Sequence, residues 1–140
     1  MKTQILVMDG QGGQLGSQII KELLGKVPDI QITAVGTNSV ATAAMLKAGA
    51  TQAATGENPV IVACRKVDII IGPIGIVIAD SLLGEVTPAM AVAIGQSRAA
   101  RILIPVNKCE NMVAGVSNLS TTVLIQDAIS KISQYINCHC

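Results

Sequence analysis

Short apolar runs alternate with segments of helical periodicity along the chain. The first run, Gln4–Met8, is apolar almost throughout, as expected for a strand that is buried on both faces of a parallel sheet. The next segment, Gln14–Lys26, repeats its apolar residues every three or four positions, which predicts an amphipathic helix. This alternation predicts one α/β domain over residues 1–140, in which helices cover a mainly parallel sheet of about five strands.

Cap and turn residues place several further boundaries. Gly49 follows a small-residue helix and suits a C-terminal position with positive φ, whereas Asn58-Pro59 and Thr87-Pro88 each pair a cap residue with proline at the first helical position. Ile74–Val86 leaves two interpretations open: a helix over Ile74–Leu83, or an extended excursion with a turn at Leu83-Gly84-Glu85. The other predicted strands are Gln31–Val35, Asp68–Ile71, Arg101–Pro105 and Met112–Val116, with Thr51–Thr55 ambiguous, and the other predicted helices are Val40–Ala48, Pro59–Arg65, Pro88–Ala99 and Ser120–Asn137.

Composition narrows the class of protein. Half of the residues are hydrophobic, 14% are charged, the net charge is +1, and Tyr135 is the single aromatic residue. A disordered chain would hold fewer aliphatic residues and more charge. A nucleic-acid-binding protein would show a basic excess or aromatic platforms for the bases. We therefore expect a folded protein that does not bind nucleic acid.

Targeting signals are not evident. The longest apolar stretch, Ile69–Ala79, is interrupted by glycine and proline and is well short of the roughly 20 residues of a spanning helix. The N-terminal residues lack the apolar region and cleavage site of a signal peptide. These features predict a cytoplasmic protein without a membrane partner, whose four cysteines are reduced thiols.

A glycine-rich turn, Asp9–Gly16, joins the first strand to the first helix. In α/β folds such a turn binds phosphate, because glycine lets the backbone approach the anion and the helix N-terminus presents free N–H groups. The spacing G-x-G-x-x-x-G is one residue longer than the dinucleotide fingerprint, and the second strand ends in Thr37, Asn38 and Ser39 rather than in the acidic residue that holds a ribose. A phosphate-bearing ligand is the main interpretation, with a nucleotide such as NAD or NADP as one candidate cofactor. The alternative is a tight turn that binds nothing.

The loops at the carboxyl ends of parallel strands meet at one edge of the sheet, where such folds bind ligands. These loops are rich in glycine and in uncharged polar side chains, which also serve simply as turn and cap formers. The candidate ligand-binding residues are Asp9, Gly10, Gln11, Gly12, Gly13, Gln14, Gly16, Thr37, Asn38, Ser39, Gly72, Pro73, Ile74, Gly75 and Asn107.

No catalytic constellation stands out in the sequence. His139 is the sole histidine and is next to the C-terminus, so a Ser-His-Asp arrangement is not expected. Asp9 has two interpretations, an acid/base or metal contact and a carboxylate that accepts hydrogen bonds from loop N–H groups; the second is favoured. Asp80 and Glu85 are interpreted as solvated surface. Whether the protein is an enzyme, and which residues would be catalytic, stays open.

The cysteines raise two hypotheses, a reactive thiol and a metal site. Cys109 follows Lys108, whose positive charge would lower the pKa of the thiol and favour a reactive role. Cys138-His139-Cys140 contains soft metal ligands but lacks the second ligand pair of a structural zinc site, so we expect no metal there.

Four stretches, Asp9–Gly13, Gly36–Ala50, Gly72–Gly75 and Ile102–Cys109, resemble a small bacterial family known as domain of unknown function 3842, over nearly the whole chain. The family is similar to Rossmann-like proteins. The resemblance therefore implies a Rossmann-like three-layer α/β/α fold, and it implies no particular reaction.

Three functional hypotheses follow. The first is a protein that binds a nucleotide or phosphorylated metabolite through Gly10–Gly16. The second is a homo-oligomeric interaction or scaffold protein with a purely structural glycine loop, suggested by the apolar excess and the low charge. The third is a redox or metal role that depends on Cys109.

Overall fold

A computed structural model describes residues 2–106 and 110–139 of the chain, and these form a single parallel sheet between two layers of helices. The sheet order is β3-β2-β1-β4-β5. The strands are β1 (Thr3–Asp9), β2 (Ile30–Gly36), β3 (Gln52–Thr55), β4 (Ile69–Pro73) and β5 (Ala100–Ile104), and the helices are α1 (Gln14–Lys26), α2 (Ser39–Ala48), α3 (Glu57–Cys64), α4 (Pro88–Gln96) and α5 (Thr121–His139). The predicted Rossmann-like α/β fold with about five strands is confirmed.

The strand order reverses between β1 and β4. The chain proceeds outward from β1 to β2 and β3, then returns to the other side of β1 for β4 and β5. The β1–β2 ladder runs from the pair Thr3–Ile30 to the pair Asp9–Gly36, but the β1–β4 ladder ends at the pair Val7–Ile71. The last residues of β1 therefore lie at the point where the reversal opens the crevice that binds ligands in such sheets.

Each face of the sheet carries its own aliphatic core. Along β1, Ile5 and Val7 belong to the cluster with α1, α2 and α5, whereas Leu6 and Met8 belong to the cluster with α3 and α4. All four side chains are fully buried. The near-continuous apolar character of the first strand thus reflects burial on both faces, as predicted.

Several helix boundaries agree with the capping residues in the sequence. The helix Gln14–Lys26 has the predicted limits, Gly49 has a φ of 120°, and the Thr87 hydroxyl accepts a hydrogen bond from the N–H of Met90. The predicted cap at Asn58 is wrong, because α3 begins two positions earlier with Gly56 as its N-cap. Pro59 is tolerated within the first turn since N–H groups there need no intrahelical acceptor.

The predicted strand Met112–Val116 is also wrong. These residues form no strand and are mostly exposed, with Met112 95% exposed. Only seven residues separate Ile104 from Met112, whereas a parallel neighbour needs a crossover of about a dozen or more. The apolar character of the segment therefore reflects something other than burial in the sheet.

The open segment after β4 is a loop with a short helical start. A 3₁₀ turn covers Ile74–Val77, after which the backbone enters the left-handed region at Asp80, Leu82, Leu83 and Gly84. This excludes the helix over Ile74–Leu83 and confirms the turn at Leu83-Gly84-Glu85. We call residues 78–86 the cover loop, because Leu82 and Val86 are buried against the sheet end.

None of the helices in the two described ranges is long and apolar enough to cross a membrane.

Candidate functional site

Asp9 ends β1 and holds both ends of the glycine loop. Its two carboxylate oxygens accept hydrogen bonds of 2.8 Å from the N–H groups of Gly10 and Gly16. Burial raises the pKa of Asp9 and the charge of Glu85 raises it further, while the two N–H donors only partly offset these effects. The interpretation of Asp9 as a carboxylate bonded to loop N–H groups is confirmed, and one N–H group of the first turn of α1 is thereby already used.

Other N–H groups of the loop are open. The Gly13 N–H bonds to the Gly10 carbonyl oxygen at 3.0 Å, and the Ser17 N–H bonds to the Gly13 carbonyl oxygen at 2.9 Å. Among the described residues, no acceptor reaches the N–H groups of Gly12, Gln14 or Leu15. The loop therefore presents three donors at the N-terminus of a 13-residue helix, where the partial positive charge of the helix favours an anion.

The glycines of the loop have different functions. Gly13 has a φ of 74°, and a Cβ there would lie 2.8 Å from the backbone of Ala41, so this position needs glycine. A Cβ on Gly16 would lie 3.0 Å from Cβ of Asp9, which shows the expected close approach of α1 to the end of β1. A Cβ added to Gly12, in contrast, meets no described residue within 4 Å other than its chain neighbours. The surface of the loop above Gly12 is therefore free for a ligand.

Glu85 closes the other side of the loop. Its Oε1 accepts hydrogen bonds from the Thr37 hydroxyl at 2.6 Å, from the Asn38 side-chain amide at 2.8 Å and from the Gln11 N–H at 2.8 Å. The same Asn38 amide also donates to the Gln11 carbonyl oxygen at 3.0 Å. The cover loop thus connects the glycine loop to the end of β2 through a single carboxylate.

The charge of Glu85 is maintained by these donors. Partial burial acts to raise the pKa of Glu85, but the hydrogen bonds from Thr37, Gln11 and Asn38 outweigh it and hold the pKa below its ordinary value. Neither Glu85 nor Asp9 forms an ion pair within the described ranges. The site is therefore lined by N–H donors and by two carboxylates whose pKa values shift in opposite directions.

The sequence of residues 4–137 matches the family model described as "Domain of unknown function (DUF3842)". The chain belongs to this family. A comparison with curated proteins found no match.

Two solved structures are similar to this DUF3842 chain. One is a nucleoside-diphosphate-sugar epimerase from Pseudomonas aeruginosa, with 15% sequence identity and a TM-score of 0.47 over 96% of this chain; the chain spans about half, 48%, of the epimerase. The other is a dodecameric FMN-dependent UbiX-like decarboxylase from Escherichia coli O157:H7, with 14% identity and a TM-score of 0.44 over 98% of this chain and 94% of the decarboxylase.

The other candidate residues of the DUF3842 chain differ in their exposure to solvent. Gly72, Pro73 and Gly75 are buried, and the Ser81 hydroxyl donates to the Gly75 carbonyl oxygen, so the cover loop lies over Gly75. Ile74 is partly exposed. Ser39 is exposed in the first turn of α2, whereas Asn107 lies outside the described residues. The open part of the candidate site is thus formed by the glycine loop, Thr37, Asn38 and Glu85.

The described part of the chain gives little support to the hypotheses on the cysteines. No group of three or more His, Cys, Asp or Glu residues within it could hold a metal ion. His139 stacks on Tyr135 with a centroid distance of 4.1 Å at the end of α5, and Cys138 is exposed. Cys109 and Cys140 lie outside the described residues, so the redox hypothesis stays a prediction.

Glu85 was missed by the sequence reasoning, which placed it on the solvated surface. Its three partners come from the ends of β1 and β2, and Gln11 and Thr37 are 74 and 48 residues away in the sequence. The available signal was indirect: apolar Leu82 and Val86 flank Glu85 and anchor the cover loop in the core.

Proposed function

We propose that this protein binds a nucleotide or a phosphorylated metabolite, with a phosphate group on the open N–H donors of Gly12, Gln14 and Leu15. The observation that carries the proposal is that these three groups have no acceptor in the described structure and stand at the strand-order reversal, beside a glycine with free space around it. Helix N-termini at this place in an open parallel sheet are favourable anion sites.

The surrounding charges limit the kind of ligand. Asp9 and Glu85 flank the loop without described cationic partners, so a phosphate would be held by N–H groups and by the helix dipole rather than by a salt bridge. A single phosphate or diphosphate attached to a hydroxyl-rich group fits this set of donors and acceptors. A further anionic group of the ligand placed next to either carboxylate would be repelled.

A matched pair of variants at Gly12 tests the proposal. Gly12→Ala should fold like the wild type, because its methyl group meets no described residue within 4 Å other than its chain neighbours, and it shows the effect of a side chain at this place without a charge. Gly12→Asp adds a negative charge at the same place; two unit charges about 4 Å apart repel by about 1 kcal/mol in water and about 4 kcal/mol near a protein surface. We therefore expect Gly12→Asp to weaken phosphate binding about 10-fold or more.

The measurement is a melting-temperature screen of the three proteins with pyrophosphate, ADP, NAD, NADP, FMN and coenzyme A, followed by calorimetry. A ligand at a hundred times its Kd should stabilise the wild type by about 2.7 kcal/mol. Binding that Gly12→Asp leaves unchanged, or the absence of any stabilising compound, would refute the glycine loop as the phosphate site.

We propose in addition that the chain forms homo-oligomers through the exposed apolar segment before and within the first turn of α5. Met112 is 95% exposed, Leu119 is 50% exposed and Val123 is 45% exposed, an arrangement that suits burial against a second subunit. Light scattering should show an oligomer that Leu119→Asp dissociates and that the control Leu46→Asp, on α2, does not. A monomeric wild type at micromolar concentration would refute this proposal.

A further inference from the structure

We propose that Glu85 supplies the ribose-binding carboxylate that β2 lacks, so that the site takes a ribonucleotide with a free 2′-hydroxyl in preference to one with a 2′-phosphate. This inference rests on the proposed function, because it concerns the part of the ligand next to the bound phosphate. In sheets of this order an acidic residue at the end of the second strand holds the ribose. Here the chain has Thr37, Asn38 and Ser39 at that place.

The carboxylate of Glu85 lies where that acidic residue is missing. It bonds directly to the side chains of Thr37 and Asn38, the two residues that follow β2, and to the N–H of Gln11 between the first two loop glycines. A residue from the segment after β4 therefore brings the acidic group to the end of β2. The position is reached through the tertiary fold instead of through the local sequence.

One of the two carboxylate oxygens is still available. All three protein donors bond to Oε1 of Glu85, and the described residues provide no donor to Oε2. An ionised carboxylate oxygen accepts hydrogen bonds from vicinal hydroxyl groups. Glu85 is partly exposed, so a hydroxyl-bearing ligand on the glycine loop can reach it.

The cover loop holds Glu85 in place. Leu82 and Val86 are buried on either side of it, and the Asp80 N–H donates to the Val86 carbonyl oxygen at 2.7 Å. A Cβ added to Gly10 would lie 2.9 Å from Leu82 Cδ1 and 3.0 Å from Glu85 Oε1, so both side chains pack against the glycine loop. A carboxylate fixed in this way is oriented before a ligand binds, which reduces the entropy cost of recognition.

The negative charge should also exclude a 2′-phosphate. A phosphate ester at the ribose 2′ position would meet Glu85 as a like charge, and no described lysine or arginine pairs with Glu85 to neutralise it. In sites that accept the 2′-phosphate an arginine usually takes this role. The described site therefore favours the ligand without the additional phosphate.

The test compares the wild type, Glu85→Gln and the control Glu22→Gln by calorimetry with ADP, 2′-deoxy-ADP, 2′-phospho-ADP and pyrophosphate. Glu22 is on α1 and pairs with Lys26, so its variant removes a charge away from the site. Glu85→Gln keeps an acceptor oxygen for the three protein donors but removes the charge. We expect it to weaken ADP binding about 10-fold, because a hydrogen bond to a charged group is lost, with pyrophosphate and 2′-deoxy-ADP little changed.

The selectivity against 2′-phospho-ADP should fall in the same variant by about 10-fold or more, whereas Glu22→Gln should match the wild type. If Glu85→Gln and Glu85→Ala both bind pyrophosphate and ADP more tightly than the wild type, Glu85 occupies the place of the ligand's own anion and the inference is overturned. Equal weakening of ADP and 2′-deoxy-ADP also overturns it, while leaving the phosphate site intact. A wild type that binds none of the four probes would overturn the proposed function and this inference together.

Discussion

Gly72 lies in β4 at the strand-order reversal, where a side chain has no room. A Cβ built there would meet the carbonyl oxygen of Met8 on β1. That oxygen belongs to the backbone of a central strand, so no change of rotamer relieves the contact and the two strands must separate. Overpacking of a core costs about 1–3 kcal/mol, and replacing a strand glycine by alanine returns about 0.5–1 kcal/mol. We expect Gly72→Ala to lower the free energy of unfolding by about 1 kcal/mol.

Gly25→Ala is the matched control. Gly25 is an exposed residue of α1, and a Cβ added to it meets no described residue within 4 Å apart from its chain neighbours and the backbone of its own helix. Alanine should therefore stabilise this helix by up to about 1 kcal/mol. The two glycine-to-alanine changes should therefore act in opposite directions and differ by about 2 kcal/mol. Urea unfolding followed by circular dichroism measures both, since a change in the midpoint at constant m reports a change in stability.

The result that would refute this reasoning is a Gly72→Ala variant as stable as the wild type while Gly25→Ala gains stability. Such a result would mean that β1 and β4 are farther apart beyond Val7 and Ile71 than the structure shows. A lower m for Gly72→Ala would instead indicate a change in the compactness of the folded or unfolded state.

Three further predictions concern the two carboxylates of the site, one helix cap and one buried thiol. Because the pKa of Asp9 is raised, its contribution to stability is present below the ordinary value of 3.8 and is lost as the pH rises through the folded-state pKa. Because the pKa of Glu85 is lowered, its contribution to stability is present above the ordinary value of 4.5 and is lost as the pH falls through the folded-state pKa. Urea unfolding between about pH 3 and 7 should show that Asp9→Asn removes the first dependence and Glu85→Gln the second; shifts of the same sign in both variants would contradict this. Thr87→Ala should cost about 1 kcal/mol through loss of the α4 cap, and an unchanged urea midpoint would contradict the cap. Burial raises the pKa of Cys64 to about 11, so iodoacetamide should modify exposed Cys138 much faster than Cys64. Peptide mass spectrometry measures both rates, and equal rates would mean that the thiol of Cys64 is accessible.

The parts of the fold that were predictable are those that local sequence determines. Gln14–Lys26 shows one apolar stripe between a glycine turn and a basic last turn, so both of its ends were correct. The β1 run was recognisable because a strand buried on both faces has hardly any polar positions. In contrast, Met112–Val116 has the composition of a strand, but its distance from β5 along the chain prevents the parallel pairing that the composition suggests.

The candidate site was predictable where its residues are consecutive in the chain or, like Thr37 and Asn38, follow a neighbouring parallel strand. Asp9–Gly16 was found because a strand, a glycine turn and a helix are consecutive in sequence. Glu85 reaches Thr37 only after β4 is placed beside β1, so no local pattern could connect the two residues. The buried position of Gly75 follows from the same cover loop, in which the sequence indicated the turn at Leu83-Gly84-Glu85 but not the left-handed conformation of Asp80 and Leu82.

Asn38 uses both ends of its side-chain amide: the oxygen accepts from the Ala41 N–H at 2.9 Å and caps α2, while the nitrogen donates to Glu85. An aspartate at position 38 would cap the helix as well as asparagine does, but it would place a carboxylate against Glu85. Acidic residues at positions 38 and 85 would therefore repel each other if both were present. Homologues of this chain should carry one or the other, and a simultaneous exchange of Asn38→Asp with Glu85→Gln should be tolerated better than Asn38→Asp alone.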